Sequence, residues 1–302
     1  MKTSLRTILA AATIALLALA NPARALTVYG YDSATDERFT SGFPSSPVEN
    51  PSFFLSGYDL SGIGWEDTGH FGVTLISSQY ALTAAHVAPA PGSTLDFVNA
   101  DGALKQYTVD TSYVLTHPNS QNTDLVLVRL TQPIAASDHV TSYPTLLLPT
   151  IGSYIGAPVA AFGAGQRAGT NIISDAGAAD LLPFGSGNGT ADDYLFVTDY
   201  DAVTGDTQAQ SGDSGSPTFT VVNGSLVLLG THSAISTSGS PAHTYDVLAP
   251  AYYTEINQYL QLDSQSWSAY VVSAIPEPAA TATFAGLVAL GSWWARRRRS
   301  RV

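Results

Sequence analysis

The feature that most constrains the fold of this chain is a succession of short β-rich runs, separated by glycine, serine, asparagine and proline. Such runs favour strands, because branched and aromatic side chains pack well on a pleated, half-buried surface. Asn223-Gly224 joins two of the runs and is a strong signal for a two-residue hairpin turn. Only residues 250–262 have helical periodicity. The pattern predicts an all-β fold with a C-terminal helix.

The number and order of the runs suit two antiparallel β-barrels, although periodicity alone does not separate barrels from a sandwich. With 302 residues, the chain is long enough to bury a large apolar core. It contains no cysteine, so its stability comes from packing rather than from disulfides. Residues 170–207 are rich in Gly, Asp and Ser, and we expect them to form long loops.

Acidic side chains dominate the body of the chain. The whole sequence has 12 basic and 24 acidic residues, a formal net charge of −12, but most of the basic residues stand near the two ends. Residues 26–275 contain 23 acidic and 4 basic residues, a net charge of −19. A body with this charge repels nucleic acid and anionic membranes, so we exclude nucleic acid as a partner.

Residues 1–25 have the three parts of a secretory signal peptide. Lys2 and Arg6 form a basic start, an apolar stretch follows, and Ala23-Arg24-Ala25 has the small-x-small pattern of a cleavage site. The apolar stretch is short, which favours a cleaved signal over an uncleaved anchor helix. We therefore expect export, processing by signal peptidase, and a mature chain that starts near Leu26.

Residues 275–302 have the features of a second targeting segment. Ile275-Pro276-Glu277-Pro278 precedes 17 uncharged residues, and a run of arginines follows. The uncharged run is at the lower limit of a membrane span, and the arginines are expected to stay cytoplasmic. The three parts together resemble the PEP-CTERM sorting signal of Gram-negative bacteria, which is processed by an exosortase during delivery to the cell envelope or the extracellular matrix. A plain C-terminal membrane anchor without processing is the alternative.

Three separate segments of the body each supply one member of a Ser-His-Asp set. His86 follows a strand-like run, Asp124 begins another, and Ser214 lies in a glycine-rich segment. A serine hydroxyl is a poor nucleophile at neutral pH and needs a base within hydrogen-bond reach, and the base needs a carboxylate that fixes its tautomer. Gly212 lets the main chain turn its N–H inward beside that of Ser214, so the two amides are candidates for an oxyanion hole.

These segments, in this order, resemble the chymotrypsin-like serine proteases of the trypsin fold. The resemblance extends over about residues 60–262, and the segments that carry it are Thr83-Ala84-Ala85-His86, Asp124-Leu125-Val126-Leu127, Gly163-Ala164-Gly165 and Gly212-Asp213-Ser214-Gly215-Ser216-Pro217. The resemblance implies two β-barrels with the site in the cleft between them. It also implies that His86 is the general base, Asp124 its orienting carboxylate and Ser214 the nucleophile of peptide hydrolysis through an acyl-enzyme, without a metal or an organic cofactor.

Four parts of the chain follow from these assignments. Residues 1–25 are the signal peptide, residues 26–262 the trypsin-like serine protease domain, residues 263–274 a linker and residues 275–302 the sorting and transmembrane segment. The expected partners are a protein or peptide substrate, signal peptidase and an exosortase-type sorting machinery. The expected location is the envelope or the extracellular matrix of a Gram-negative bacterium.

The chain departs from the family in its activation motif. Many members are activated when a new amino terminus, usually Ile-Val-Gly-Gly after a basic residue, pairs with the aspartate that precedes the catalytic serine. That aspartate corresponds to Asp213, but no such motif lies upstream of His86. The partner of Asp213 is therefore left open by the sequence.

The resemblance also assigns five substrate-binding residues. Ser233 matches the position that hydrogen-bonds the triad carboxylate and the substrate backbone. Gln208 stands where tryptic enzymes have an aspartate, so basic side chains should be poor substrates. Ile235 and Ala251 match two glycines of the pocket wall and would narrow it, which favours small neutral side chains. His232 resembles the histidine with which glutamyl endopeptidases hold an acidic side chain, so cleavage after Glu or Asp is the alternative.

Other titratable residues are expected to be structural, and no metal site is predicted. The aspartates between residues 192 and 206 match no calcium-loop spacing, so we expect a solvated acidic loop. Two functions compete with proteolysis: a catalytically silent surface or matrix protein on the same fold, and an esterase that uses the same triad. The residues expected to be structural or solvated are His70, His117, His139, His243, Asp192, Asp193, Asp199, Asp201 and Asp206.

Overall fold

The computed structural model of the protein describes residues 26–116, 122–181, 191–236 and 241–272. The predicted signal peptide and the predicted sorting segment lie outside these ranges. No helix among the described residues is long and apolar enough to cross a membrane.

The first barrel is a closed sheet of six antiparallel strands in the order β4-β5-β6-β9-β8-β7. Side chains from alternate positions fill its interior, and each large apolar side chain buried there stabilises the fold by about 1.5 to 3 kcal/mol. The interior holds Val73, Leu75, Leu95, Phe97, Val126, Val128 and Leu130 among others. The strands are β4 (Ile63–Glu66), β5 (Gly72–Leu75), β6 (Tyr80–Ala84), β7 (Thr94–Val98), β8 (Leu104–Thr116) and β9 (Asn122–Leu130).

The second barrel has six strands in the order β15-β11-β12-β13-β17-β16, and it closes because β15 also pairs with β16. In the β15–β16 hairpin, Asn223 and Gly224 have φ values of 52° and 79°, as a two-residue turn of this hand requires. The strands are β11 (Pro158–Phe162), β12 (Ala168–Leu181), β13 (Ala191–Tyr200), β15 (Pro217–Val222), β16 (Ser225–Ser236) and β17 (Ala242–Leu248). The prediction of two antiparallel barrels is confirmed.

Shorter elements join the barrels to the chain ends. The N-terminal arm contains β1 (Thr27–Val28), the helix α1 (Ser33–Asp36), β2 (Phe39–Ser41) and β3 (Val48–Glu49). β1 pairs with β14 (Thr207–Gln208), next to the second barrel. An apolar cluster with members from both barrels, among them Leu82, Leu125, Phe162 and Phe219, fills the space between them.

The structure corrects the expectation of long loops over residues 170–207. β12 and β13 form a hairpin whose register runs from Ile173 opposite Thr198 to Leu181 opposite Ala191. Its strands contain many small and acidic residues, so their formation depends on main-chain pairing and on the neighbouring strand β17 rather than on strand propensity.

The predicted linker over residues 263–274 also differs from the structure. The helix α2 (Tyr253–Leu262) buries Ile256 and Leu260, and the chain after it continues to pack on the body. Trp267 is buried, and its indole N–H donates to the carbonyl of Tyr143 at 2.9 Å. β18 (Ala269–Val271) then pairs in parallel with β10 (Thr145–Leu147) beside β16. The packed domain therefore extends beyond residue 262 to the end of the described chain.

Candidate active site

His86 is placed by the end of β6. Antiparallel pairing sets Ala84 opposite Leu125, so the end of β6 lies beside Asp124 on β9. The chain then enters a 3₁₀ turn, Ala85–Val87, and the main-chain N–H of His86 donates to Asp124 Oδ1 at 2.9 Å. One carboxylate oxygen thus fixes the main chain of the turn as well as the imidazole ring.

The three side chains of the Ser-His-Asp set meet in one hydrogen-bonded line. His86 Nδ1 lies 2.9 Å from Asp124 Oδ1 and 2.8 Å from Oδ2, and His86 Nε2 lies 2.7 Å from Ser214 Oγ. The Asp124 side chain is 3% exposed and the His86 side chain 25%. A buried carboxylate that accepts a hydrogen bond from Nδ1–H directs the lone pair of Nε2 toward the serine proton on the solvent side.

Two glycines shape the loop that carries Ser214. Gly212 has φ +104°, a conformation that other residues rarely adopt, although a Cβ would meet nothing within 4 Å. Gly215 has φ +76°, and a Cβ there would lie 2.0 Å from Thr83 Oγ1, so the loop packs directly on the first barrel. Among the described residues, the N–H groups of Gly212 and Ser214 have no acceptor, which leaves them available to an oxyanion.

Ser233 lies on β16, on the far side of the triad carboxylate. Its hydroxyl donates to Asp124 Oδ2 at 2.5 Å and its side chain is buried. Asp124 thus accepts hydrogen bonds from the His86 amide, the His86 ring and Ser233. Hydrogen bonds of this kind favour the ionised carboxylate in a buried site.

Comparison with known proteins now identifies the family. The family model described as Trypsin matches residues 65–262, which is most of the described chain. The chain belongs to the trypsin family. No curated protein matches it. Among solved structures, the chain is similar to the apo form of the MamO protease domain from Magnetospirillum magneticum, with 15% identity and a TM-score of 0.45, over 67% of this chain and 98% of that one.

The aspartate before the trypsin-family serine, Asp213, is fully buried. Its Oδ1 accepts from the N–H of Ala164 at 2.9 Å and its Oδ2 from that of Gln210 at 2.7 Å. Burial raises the pKa of Asp213 to about 6, although these hydrogen bonds and the charge of His232 act in the opposite direction. An ideal Cβ on Gly163 would lie 2.7 Å from Asp213 Oδ1 and 2.9 Å from Leu26 N. The first residue of the predicted mature chain therefore borders this carboxylate.

Two residues that the resemblance assigns to substrate binding, Gln208 and Ile235, lie beside neutral groups. Gln208 is buried, and its amide donates to the carbonyl of Ser236 at 3.4 Å. The N–H of Ala209 donates to Thr244 Oγ1 at 3.0 Å. Thr244 lies on β17 directly opposite Ile235 on β16, and Ile235 is 36% exposed. The sequence did not point to Thr244, because its position opposite Ile235 depends on the register of β16 and β17.

Ala251 is not a wall of this pocket, which corrects its assignment as a substrate-binding residue. It lies in the 3₁₀ turn Ala249–Tyr252, after the end of β17, and its side chain is exposed. The tyrosine-rich segment that follows it begins the closing helix. The residues opposite β16 are instead those of β17, because antiparallel pairing with β16 ends at Leu248.

His232 forms a second histidine–aspartate pair beneath the serine loop. Its Nδ1 lies 2.5 Å from Asp246 Oδ1, and Thr218 donates to Asp246 Oδ2. Burial acts to lower the pKa of His232, but the charge and hydrogen bond of Asp246 outweigh it, so the pKa is raised. The imidazolium proposed to hold an acidic substrate is thus already paired with a carboxylate of the protein. No sequence pattern indicated Asp246.

The acidic segment from residue 192 to residue 206 is only partly the solvated loop that we expected. Asp199 lies on β13 and pairs with His243 Nδ1 at 2.8 Å, and Asp193 is fully buried. Burial and the neighbouring Asp201 together raise the pKa of Asp206 to about 6. Within the described ranges, no three acidic or histidine side chains form a cluster that could hold a metal ion.

Proposed function

We propose that this trypsin-family chain is an exported serine endopeptidase that cleaves peptide bonds through an acyl-enzyme. The observation that carries the proposal is the 2.7 Å contact between His86 Nε2 and Ser214 Oγ, with Nδ1 of the same ring on Asp124. A silent protein on the same fold has no need of this alignment.

The chemistry follows from the positions of these atoms. Ser214 Oγ attacks the scissile carbonyl carbon while its proton moves to His86 Nε2, and Asp124 stabilises the imidazolium that forms. The carbonyl oxygen becomes an oxyanion, which the N–H groups of Gly212 and Ser214 stabilise. Collapse of the intermediate breaks the C–N bond, and the leaving amine takes the proton from His86. A water molecule, deprotonated by His86, then hydrolyses the acyl-enzyme and regenerates Ser214.

Neutral side chains are the proposed substrates at the scissile bond. Gln208, Ser236 and Thr244 offer only uncharged groups, so a buried lysine or arginine would lack a counter-charge. Ile235 and Thr244, which face each other on β16 and β17, would both narrow the pocket, which supports small neutral side chains. Cleavage after Glu or Asp is the alternative, and His232 would hold the acidic side chain through Nε2, since Asp246 occupies Nδ1.

Export and sorting belong to the same proposal. The predicted signal peptide would bring the body to the envelope, where signal peptidase and an exosortase-type enzyme process the two ends. The strongly acidic body, with a net charge of −19 over residues 26–275, suits an exported protein with few basic cleavage sites of its own.

Labelling with a fluorophosphonate tests the catalytic proposal. We expect stoichiometric labelling of Ser214 in the wild-type protein and none in His86→Ala. His243→Ala is the matched control, because His243 also pairs with an aspartate but has no serine in this geometry. Labelling that persists in His86→Ala would contradict the role of His86 as the base, and absence of labelling from a folded wild-type protein would favour the silent surface protein.

Peptide and ester turnover separate a protease from an esterase. Matched peptides that carry Ala, Glu, Phe or Arg before the scissile bond should be cleaved best with Ala and worst with Arg. Ester hydrolysis without any peptide hydrolysis would favour the esterase, and a preference for Glu that disappears in His232→Ala would favour the glutamyl-type pocket.

A further inference from the structure

Asp193 is a fully buried carboxylate directly behind the triad aspartate. It lies on β13 in the second barrel, whereas Asp124 lies on β9 in the first. The main-chain N–H of Asp124 points to both of its oxygens, with Asp124 N 3.1 Å from Asp193 Oδ1 and 3.2 Å from Oδ2. One residue of the second barrel therefore fixes the residue of the first barrel that orients His86.

The Asp124 amide needs such an acceptor because strand pairing does not supply one. β9 pairs with β6 only from Leu125 onward, and its register with β8 is interrupted between Asn122 and Val126. A buried N–H without a partner would destabilise the fold. A neutral acceptor would remove that cost as well as a carboxylate does, so a carboxylate at this position calls for a separate reason.

Tyr252 completes the surroundings of Asp193. Its hydroxyl accepts from the N–H of Tyr194 at 3.1 Å and lies 3.4 Å from Asp193 Oδ1. Because the oxygen already accepts from an amide, the hydroxyl proton is available to the carboxylate. Burial raises the pKa of Tyr252, and the negative charge of Asp193 raises it further, so the phenol keeps its proton.

We propose that Asp193 is a positioning residue that acts through Asp124. Its ionised carboxylate anchors the main chain of Asp124 across the boundary between the barrels, and it places a second negative charge behind the imidazolium that forms on His86. The proposal rests on the proposed serine protease mechanism. The titratable groups that surround this arrangement include Asp124, Tyr194 and Tyr252, and Ser214 and Ser233 add hydroxyls.

The second charge matters because the site is buried. Charges separated by several ångströms interact by about 1 kcal/mol when the effective dielectric constant lies between that of protein and that of water. Asp193 therefore stabilises the imidazolium of His86, which during catalysis forms when Ser214 gives up its proton. Such an interaction is stronger in the transition state than in the ground state, so it raises kcat rather than lowering KM.

Asp193→Asn is the variant that tests the charge. An asparagine keeps the size of the side chain and an oxygen that can accept from the Asp124 amide. We expect kcat to fall by about fivefold, the equivalent of about 1 kcal/mol, with KM unchanged, and the pH midpoint of the acidic limb to move down by about 0.7 unit. Asp175→Asn is the matched control, because Asp175 stands exposed on the same hairpin and should change neither quantity.

Titration of His86 by NMR makes the test independent of activity. In a Ser214→Ala background, the midpoint of the His86 titration should be lower in Asp193→Asn than in the parent and unchanged in Asp175→Asn. Tyr252→Phe should shift it in the same direction by a smaller amount, and it carries the test if Asp193→Asn does not fold. Equal midpoints in parent and variants overturn the proposal for Asp193. Absence of labelling and hydrolysis in the wild-type protein instead overturns the serine protease proposal.

Discussion

Two histidine–aspartate pairs support the serine loop, and they differ mainly in what surrounds them. His86 has a partly exposed side chain and faces the hydroxyl of Ser214, whereas the His232 and Asp246 side chains are 3% and 2% exposed. The main chain of His232 is part of the loop's support, because its carbonyl accepts from Gly215 N–H and its N–H donates to Ser216 O. The partly exposed pair, His86–Asp124, is therefore suited to catalysis, whereas the buried pair, His232–Asp246, supports the structure of the loop.

The largest expected effect is on hydrolysis, when the partly exposed His86–Asp124 pair or its serine is altered. His86→Ala and Ser214→Ala should each reduce peptide hydrolysis by about 10⁴- to 10⁶-fold, because each removes a group that acts as a unit with the other. Thermal unfolding should change little, since both side chains border solvent. Turnover and melting temperature measured together decide the matter. Near-normal hydrolysis in either variant would contradict the mechanism.

Substitutions in the buried His232–Asp246 pair should instead reduce stability more than activity. Asp246→Asn leaves a buried imidazolium without its counter-charge, and we expect it to destabilise the fold by about 3 to 5 kcal/mol. The double variant His232→Gln, Asp246→Asn removes both charges and should lose less. Denaturant unfolding of the three proteins checks the order, and loss of activity without loss of stability would show that the pair acts in catalysis.

The buried His232–Asp246 pair should also make the stability of the fold depend on pH. The folded-state pKa of His232 is raised, so its contribution to stability is complete below the unfolded value of about 6.5 and is lost as the pH rises through the folded value. Melting temperatures from pH 6 upward should therefore fall more steeply for the wild-type protein than for the double variant.

Residues that chemistry requires in short contiguous segments could be predicted, whereas residues that depend on pairing between distant strands could not. Ser214 and its glycines stand together in the sequence, and so do the residues of the Asn223-Gly224 turn. Thr244 in place of Ala251 follows only from the register of β16 and β17. Aspartate is most common in exposed loops, so the sequence did not indicate that Asp193 and Asp246 are buried. Their burial depends on hydrogen-bond partners on other strands.

Buried Asp213 lies outside the two histidine–aspartate pairs, its pKa is raised, and cleavage before Leu26 should change this. In the full chain its pKa is raised to about 6, so it destabilises the fold progressively as the pH rises from about 4 to 6. An ammonium group at Leu26 would lie beside this carboxylate and lower its pKa. A chain that begins at Leu26 should therefore be more stable at pH 7 by about 2 to 3 kcal/mol and more active than one that keeps residues upstream.

Acetylation of the new amino terminus is the control for this prediction, because it removes the charge and leaves the chain length unchanged. Unfolding free energies of the processed, acetylated and extended proteins at pH 7 check the effect. If the acetylated protein is as stable as the processed one, the ammonium group is not the partner of Asp213.

The smallest expected effect concerns an ion pair with good geometry but only partial burial. Arg129 Nε and Nη2 lie 2.6 Å and 2.9 Å from the two oxygens of Asp263, and Tyr80 donates to the same carboxylate. The hydrogen bond from Arg129 lowers the pKa of Asp263 to about 2, so this stabilisation is present above the unfolded value of about 4 and is lost as the pH falls toward 2.

Exposure limits what this pair contributes, because water screens both charges. We expect Arg129→Met to reduce stability by only about 0.5 to 1 kcal/mol at pH 7, and less in high salt. Arg129→Lys keeps the charge but not the two-pronged contact, so it should fall between the wild-type protein and Arg129→Met. Urea unfolding at two salt concentrations measures both. A loss as large as that of Asp246→Asn would show that docking of the segment after α2, rather than burial of charge, determines how much such a pair stabilises this fold.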